Sequence, residues 1–356
     1  MKAARWHGRR DVRVEDIDEP TIANSDDVIV RVDLAAICAS DLAEWRDGPH
    51  VISTRHPHPL TGTTAPVTLG HEYVGHVVHV GDGVTSVTIG DRVCGDACLR
   101  CNSCYWCLRG QYNICPTGGS VGLHADGAFA TMLRVPSYTL VRVPDSVSDV
   151  LAAVVEPVAV SLHALRRAQL QPGDAVVIQG FGMVGAGAAV LAKALGASRV
   201  IVIEQSAVRS RMAETLDVDA VLQPGTVDVV REVRRATQGR GADVVLECTG
   251  RAETLAQAVE LSRRGGSVAL CGIPHAESRI RTDRIVYFER QLFGSLGYRF
   301  DHATVLDLMQ QRRLTALNEL FETPISLNTI VTDGFERMLG GTESGLRIHV
   351  RPDCGG

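Results

Sequence analysis

Through the first 150 or so residues, short β-branched runs are punctuated by turn signals. Val28-Ile29-Val30-Arg31-Val32 and the stretch from Val74 to Val80 predict strands, with Gly81-Asp82-Gly83 and Gly90-Asp91 as the turns beyond them. The pattern suggests a small folded-over barrel with long excursions. Near residue 155 the texture changes to apolar strands alternating with helical stretches. Ala175 to Gln179 is a continuous apolar strand, Val184 to Leu195 an alanine-rich helix, Arg199 to Glu204 a strand again, and Ser206 to Leu216 a charged helix. Asp243 to Glu247 and Ser267 to Cys271 add two strands. Fully apolar strands alternating with helices predict a parallel sheet covered on both faces. After about residue 296 a helix from Thr304 to Arg313 and a last strand from Leu346 to Arg351 follow.

A chain of 356 residues exceeds one ordinary core and suits two domains. Net charge is -5 with acidic and basic residues interspersed, and aromatics are only 4%, so neither the basic footprint nor the stacking platform of a nucleic-acid binder is expected. No apolar run reaches the roughly 18 residues of a membrane span, and the N-terminus lacks the apolar core of a signal peptide. A cytoplasmic protein with reduced cysteines is the resulting expectation.

Gly180-Phe181-Gly182-Met183-Val184-Gly185 is a GxGxxG that directly follows an apolar strand and opens a helix. The first glycine permits the tight turn, the second lets a pyrophosphate approach the backbone, and the third lets helix pack on strand. Free N–H groups at the helix start then face the anion, at the tip formed by Gly182, Met183 and Val184. The next strand ends at Glu204, whose carboxylate can hold both ribose hydroxyls and repel a 2′-phosphate. That favours NAD(H) over NADP, with Arg209 and Arg211 nearby as possible phosphate partners. In an open sheet, ligands lie beyond the carboxyl ends of the strands. Cys248 and Thr249 therefore are expected to line the cofactor, and Gly272 and Ile273 to meet the nicotinamide amide.

Six of the ten cysteines lie between Cys94 and Cys115. Cys101, Cys104, Cys107 and Cys115 give four thiols within fifteen residues, the pattern of a closed tetrahedral zinc site that orders a loop. A frame shifted to start at Cys98 leaves an irregular last spacing, so Cys94 and Cys98 are read as plain residues. Cys38, His71, Glu72 and Glu156 could supply an open zinc site from distant parts of the chain, but spacing alone leaves this level with a buried Cys38 and a hydrogen-bonded His71.

Gly70-His71-Glu72, the cysteine lobe, GxGxxG and Glu156-Pro157 occur in the order seen in the medium-chain zinc alcohol dehydrogenases. The likeness runs from Met1 to about Pro352 and is strongest to the sorbitol, threonine and 2,3-butanediol dehydrogenase branch, through His58-Pro59-Leu60-Thr61-Gly62 and Ala65-Pro66-Val67-Thr68-Leu69-Gly70-His71-Glu72. The resemblance implies an α/β fold with a Rossmann dinucleotide-binding domain over 155–295. A β-rich GroES-like catalytic domain would comprise 1–154 and 296–356, with the zinc lobe at 94–116.

It implies two Zn2+ per chain, a structural one on the four thiols and a catalytic one on Cys38, His71 and Glu156, with Glu72 able to approach or replace a ligand. Asp41 would hold the His71 imidazole, Ser40 would take the substrate proton first, and Arg347 would reach the pyrophosphate. The relay histidine usual three residues after that serine is Ala43 here, which puts the usual relay in doubt. His163 is expected to serve packing, and His56 and His58 to sit in a solvated loop. The implied activity is NAD(H)-linked interconversion of a secondary alcohol, a vicinal diol or polyol, with its ketone. An amino-alcohol or aminocyclitol dehydrogenase is the alternative, and a non-catalytic NAD-binding or structural protein the reading from another class. Relatives of this kind imply a homodimer or homotetramer.

Overall fold

The long strand Asp27–Ala36 alternates so that Val28, Val30 and Val32 fall on one buried face, and it pairs antiparallel with Glu72–Val80 over most of its length. In the computed structural model, which describes residues 1–274, 276–341 and 345–352, this pair is the spine of a seven-stranded sheet. Arg92–Gly95 and Leu140–Arg142 extend it on one side, His349–Arg351 and Ile325–Ser326 on the other, and Met132–Pro136 pairs with Asp27–Ala36. A three-stranded sheet of Asp11–Asp16, Lys2–Gly8 and Val67–Thr68 packs with it around Trp6, Trp45, Tyr73, Phe129 and Phe335. The cysteine excursion is closed at its base by the two-stranded pairing of Cys98–Leu99 with Gly119–Ser120.

These elements belong to one unit, Met1–Glu156, His302–Gln311 and Phe321–Gly356; Pro157–Asp301 and Arg312–Leu320 form a second. The second unit holds a six-stranded, wholly parallel sheet. Counted along this unit its strands lie in the order 3-2-1-4-5-6, starting with Ala220–Leu222, Arg199–Ile203 and Ala175–Gln179 and ending with Ala242–Glu247, Ser262–Leu270 and Gln291–Gly294. That order is the doubly wound arrangement of dinucleotide-binding folds. The apolar run Ala175 to Gln179 is a strand over those residues, and the alanine-rich helix spans Met183–Ala194. Ala220–Leu222 and Gln291–Gly294 escape sequence reading because, as half-buried or exposed edge strands, they lack a continuous apolar run.

The helix expected from Thr304 to Arg313 runs instead over Asp301–Gln310 and stops before Arg312, whose φ of 57° is left-handed. The last strand is shorter than its apolar run, at His349–Arg351. His163 is buried, as packing requires, and its Nδ1 also lies 3.2 Å from the buried Asp301 carboxylate.

His349 is fully buried in the first unit. Its Nε2 donates to the Val150 carbonyl at 3.1 Å, Phe321 meets it edge-on at 5.0 Å, and its Nδ1 has no partner. Burial therefore disfavours the charged ring and pushes its pKa down to about 4. A depressed histidine leaves the folded state short of a proton that the unfolded chain binds, so stability falls as pH drops from about 6.5 toward about 4. His349→Gln keeps a donor without the titration. In urea unfolding across pH 4–7 it is expected to flatten this loss by roughly 2–3 kcal/mol; a profile parallel to the parent's would refute the assignment.

Candidate functional site

The pairing of the two long strands sets Ala36 opposite Glu72. Cys38 lies two residues past the end of one strand, and His71 one residue before the other, so the register brings a thiol, an imidazole and a carboxylate together. Their ligand atoms all lie within 4.8 Å of one another. Glu72 is fully buried and His71 nearly so. Asp41, also fully buried, ties the approach: its carboxylate accepts the Cys38 N–H at 2.9 Å and the Gly70 N–H at 3.4 Å, and faces His71 Nδ1 at 3.5 Å. His71 Nδ1 forms no hydrogen bond, while Ser40 Oγ lies 3.3 Å from Nε2. Burial by itself would lower the His71 pKa, but the Asp41 carboxylate and the Cys38 sulfur outweigh it and hold it well above the usual value. Sulfur, nitrogen and oxygen donors packed this closely suit a divalent cation.

Arg347, expected at the pyrophosphate, is committed elsewhere. Its guanidinium is buried and grips Glu72 with two hydrogen bonds, Nε to Oε2 at 3.0 Å and Nη2 to Oε1 at 2.8 Å, with Nη2 also 3.6 Å from Cys38 Sγ. Burial would depress the arginine, but Glu72 and Cys38 raise it above its ordinary value. Glu156, at the start of the helix Val155–Arg167, is half-buried and adds to the negative field on Arg347, but does not join the trio of Cys38, His71 and Glu72. Ala43 contributes no polar atom, and its neighbour Glu44 is a buried carboxylate that sequence reading missed. Glu44 accepts the N–H groups of His50, at 3.0 Å, and Val51, at 2.6 Å, and so fixes the loop after the helix Ala39–Asp47. The signal available was an acidic residue inside a short helix before a proline-containing loop.

The four lobe thiols also converge. Cys101, Cys104, Cys107 and Cys115 have all four sulfurs within 4.8 Å, with separations of 3.9 Å for Cys101–Cys107, 3.9 Å for Cys104–Cys115 and 3.6 Å for Cys101–Cys115. A tetrahedron with metal–sulfur bonds of about 2.3 Å has edges of about 3.8 Å, so the donor set fits zinc. Hydrogen bonds from the Ser103 backbone and side chain and the Cys104 N–H bring Cys101 down to about 5. Burial and the neighbouring thiols push Cys107 up to about 12. Sulfurs this close do not all ionise without a cation among them. Cys94 is buried outside the group and Cys98 is not one of its ligands.

In the second unit, Gly180 adopts φ 91°, and a Cβ on Gly185 would stand 2.0 Å from the Gly180 carbonyl oxygen, so only glycine lets the helix Met183–Ala194 start this close to its strand. A Cβ on Gly182, by contrast, meets nothing within 4 Å, leaving open space at the helix N-terminus where a phosphate fits. Met183 is buried and Val184 half-buried, its carbonyl accepting from Ser161 Oγ at 2.7 Å. Glu204 follows its strand directly; its carboxylate accepts the Phe181 N–H and the Ser206 N–H, each at 2.7 Å, which fixes it against the glycine turn with acceptor capacity left for hydroxyls. Arg209 is exposed on the helix Ala207–Glu214. Cys248 and Thr249 follow one strand, Gly272 and Ile273 follow the next, and Ile273 is 70% exposed. The expected cofactor residues other than Arg347 thus share the carboxyl edge of one sheet.

The alcohol dehydrogenase GroES-like domain family matches residues 24–145 and the zinc-binding dehydrogenase family residues 184–311. An (R,R)-butanediol dehydrogenase of Bacillus subtilis is 36% identical over 99% of this chain and 100% of its own length. A sorbitol dehydrogenase of the same organism is 31% identical over 99% and 98%. The crystal structure of 2R,3R-butanediol dehydrogenase from Bacillus subtilis superposes with a TM-score of 0.92 at 36% identity, covering 99% of both chains. That of a putative zinc-binding dehydrogenase from Sinorhizobium meliloti 1021 bound to NADP does so at 0.89 and 29%, again over 99% of both.

Removing Arg347 strands a buried carboxylate. In the metal-free protein Arg347→Met is expected to cost about 3–5 kcal/mol in urea unfolding, and the double variant Arg347→Met with Glu72→Gln to recover part of it. Full additivity of the two would show that the pair does not interact.

Proposed function

The chain belongs to the zinc-type medium-chain alcohol dehydrogenases and is an oxidoreductase, and from that premise we propose that it interconverts a vicinal diol of the 2,3-butanediol class with its hydroxyketone, using zinc and NAD(H). The observation that carries the reading is the convergence of half-buried Cys38 with buried His71 and Glu72, separate from the four-thiol lobe. Bound zinc would supply a Lewis acid for the substrate hydroxyl, and bound nicotinamide a hydride acceptor. Cys38, His71 and Glu72 would hold the catalytic ion, with Glu156 in reserve, and the four lobe thiols the structural one. Asp41 aims the imidazole, and Arg347 fixes the direction of Glu72. Ser40 Oγ takes the hydroxyl proton, and with Ala43 in the relay position the proton passes on to water.

The open N–H groups at Gly182 and Met183 would take the pyrophosphate, Glu204 the ribose hydroxyls, and Cys248, Thr249, Gly272 and Ile273 the remaining contacts. Glu204 supports NAD over NADP, because its carboxylate repels a 2′-phosphate. On this reading the first unit is catalytic and the second binds cofactor. Homodimers or homotetramers fit the family, and four thiols clustered as metal donors fit a reducing cytoplasm. Among the described residues, no helix is long and apolar enough to cross a membrane.

Metal analysis is expected to give about two zinc ions per chain, with NAD-linked turnover of 2,3-butanediol ahead of sorbitol, threonine and aminocyclitols. Cys38→Ser is expected to lose roughly a thousandfold in kcat while keeping the fold, as the several kcal/mol of Lewis-acid stabilisation disappears. Cys104→Ser is expected to lose one zinc and thermal stability first. Undiminished turnover in Cys38→Ser would sink the catalytic-zinc assignment, and an unchanged Tm in Cys104→Ser the structural one.

A further inference from the structure

Two of the thiols outside both metal-ligand groups lie at the edge of the parallel sheet. Cys248 and Cys271 are half-buried and not joined by a disulfide. Each directly follows one of two neighbouring strands, Ala242–Glu247 and Ser262–Leu270, whose register sets Glu247 opposite Leu270 and so Cys248 opposite Cys271 one step on. The backbone at this step is anchored: the Cys271 N–H donates to the Glu247 carbonyl at 2.8 Å and the Cys248 N–H to that of Gln179 at 2.9 Å. Neighbouring strands lie about 4.7–4.9 Å apart, inside the roughly 4.4–6.8 Å between Cα atoms that a disulfide spans. The loops beyond are in direct contact. A Cβ on Gly272 would stand 2.0 Å from the Gly250 nitrogen, and one on Gly250 2.6 Å from the Ile273 carbonyl oxygen.

We propose that Cys248 and Cys271 form a redox-modification site that a peroxide oxidises to a disulfide, and that this bond lowers cofactor affinity by pinning the loops 248–250 and 271–273. The first half stands on geometry; the second rests on the reading that these loops receive NAD. The step balances without a further reactant. One thiolate attacks the peroxide O–O bond, releasing water or an alcohol and leaving a sulfenic acid; the second thiol displaces its hydroxyl as water and closes the S–S bond. A hydrogen bond to the Cys271 thiol, then burial, holds the Cys248 pKa well above the usual value. Cys248 therefore keeps its proton and acts as the resolving thiol, leaving Cys271 as the attacking sulfur. The clamp reaches the cofactor edge through Glu247, whose buried carboxylate accepts the N–H groups of Thr249 at 2.8 Å and Gly250 at 3.2 Å, so a displaced Cys248 moves the whole turn.

The test treats the zinc-loaded protein with graded hydrogen peroxide and follows peptide maps, free thiols, bound zinc and the Kd for NAD. The expected result is a cross-linked peptide pair carrying Cys248 and Cys271, loss of two thiols with zinc retained, and about a tenfold weaker Kd that dithiothreitol restores. Within Cys271→Ser, and again within Cys248→Ser, the ratio of oxidised to reduced Kd is expected to stay near one. Consumption of other thiols or release of zinc without this cross-link would overturn the site. A complete cross-link with unchanged Kd would overturn the clamp, whereas reduced protein that never binds NAD would mean that the functional reading had failed instead.

Discussion

Two charges buried against each other, Arg347 and Glu72, set the terms for the first unit. An ion pair inside a protein gives up hydration on both sides and holds only if its geometry is complete. Here both nitrogens of the fork that face Glu72 are used, at 3.0 and 2.8 Å. The pair joins the chain's last described segment to a strand that begins 275 positions earlier. It therefore couples closure of the sheet, through His349–Arg351 beside Asp27–Ala36, to the direction of a carboxylate in the metal cluster. A residue that sequence likeness assigns to a phosphate acts in this state as the counter-charge of the cluster.

The lobe is held by a different device. The Arg100 guanidinium lies over two aromatic rings, 3.9 Å from the centroid of Tyr112 and 4.6 Å from that of Tyr138, and its Nη1 reaches Asp96 at 3.4 Å. Tyr112 in turn donates to the same Asp96 carboxylate at 2.8 Å. A planar cation held over two rings and against a carboxylate is hard to replace by a lysine. This cluster fixes the base of an excursion whose outer part exposes Tyr105, Leu108 and Ile114 and so has few apolar contacts of its own. Convergent thiols and a stacked arginine divide the task, one at the tip and one at the root.

In the second unit the constraint is closeness. Gly185 and Gly272 sit where a single added carbon would strike backbone, while at Gly182 the same carbon would enter open space. Glycine thus serves packing at two of these positions and access at the third. Glu204 closes the arrangement, because a carboxylate that accepts the Phe181 N–H stabilises the turn that it also borders.

Sequence by itself determined the periodic and the local. The switch from short β-branched runs to apolar strands with helices, the glycine fingerprint after Ala175–Gln179, and the four thiols within fifteen residues were all legible, because each is set by neighbours along the chain. What tertiary structure alone decided is what depends on register and on contacts between distant segments. Whether Cys38 meets His71 and Glu72 follows from Ala36 pairing with Glu72, and a shift of one residue would turn those side chains to the other face. The separation of Glu156 from that trio, the grip of Arg347 on Glu72 and the apposition of Cys248 with Cys271 are likewise invisible in spacing. Side-chain chemistry at such places is fixed by which strands lie side by side, and pairing energy is spread over whole strands rather than written in the few residues that then meet.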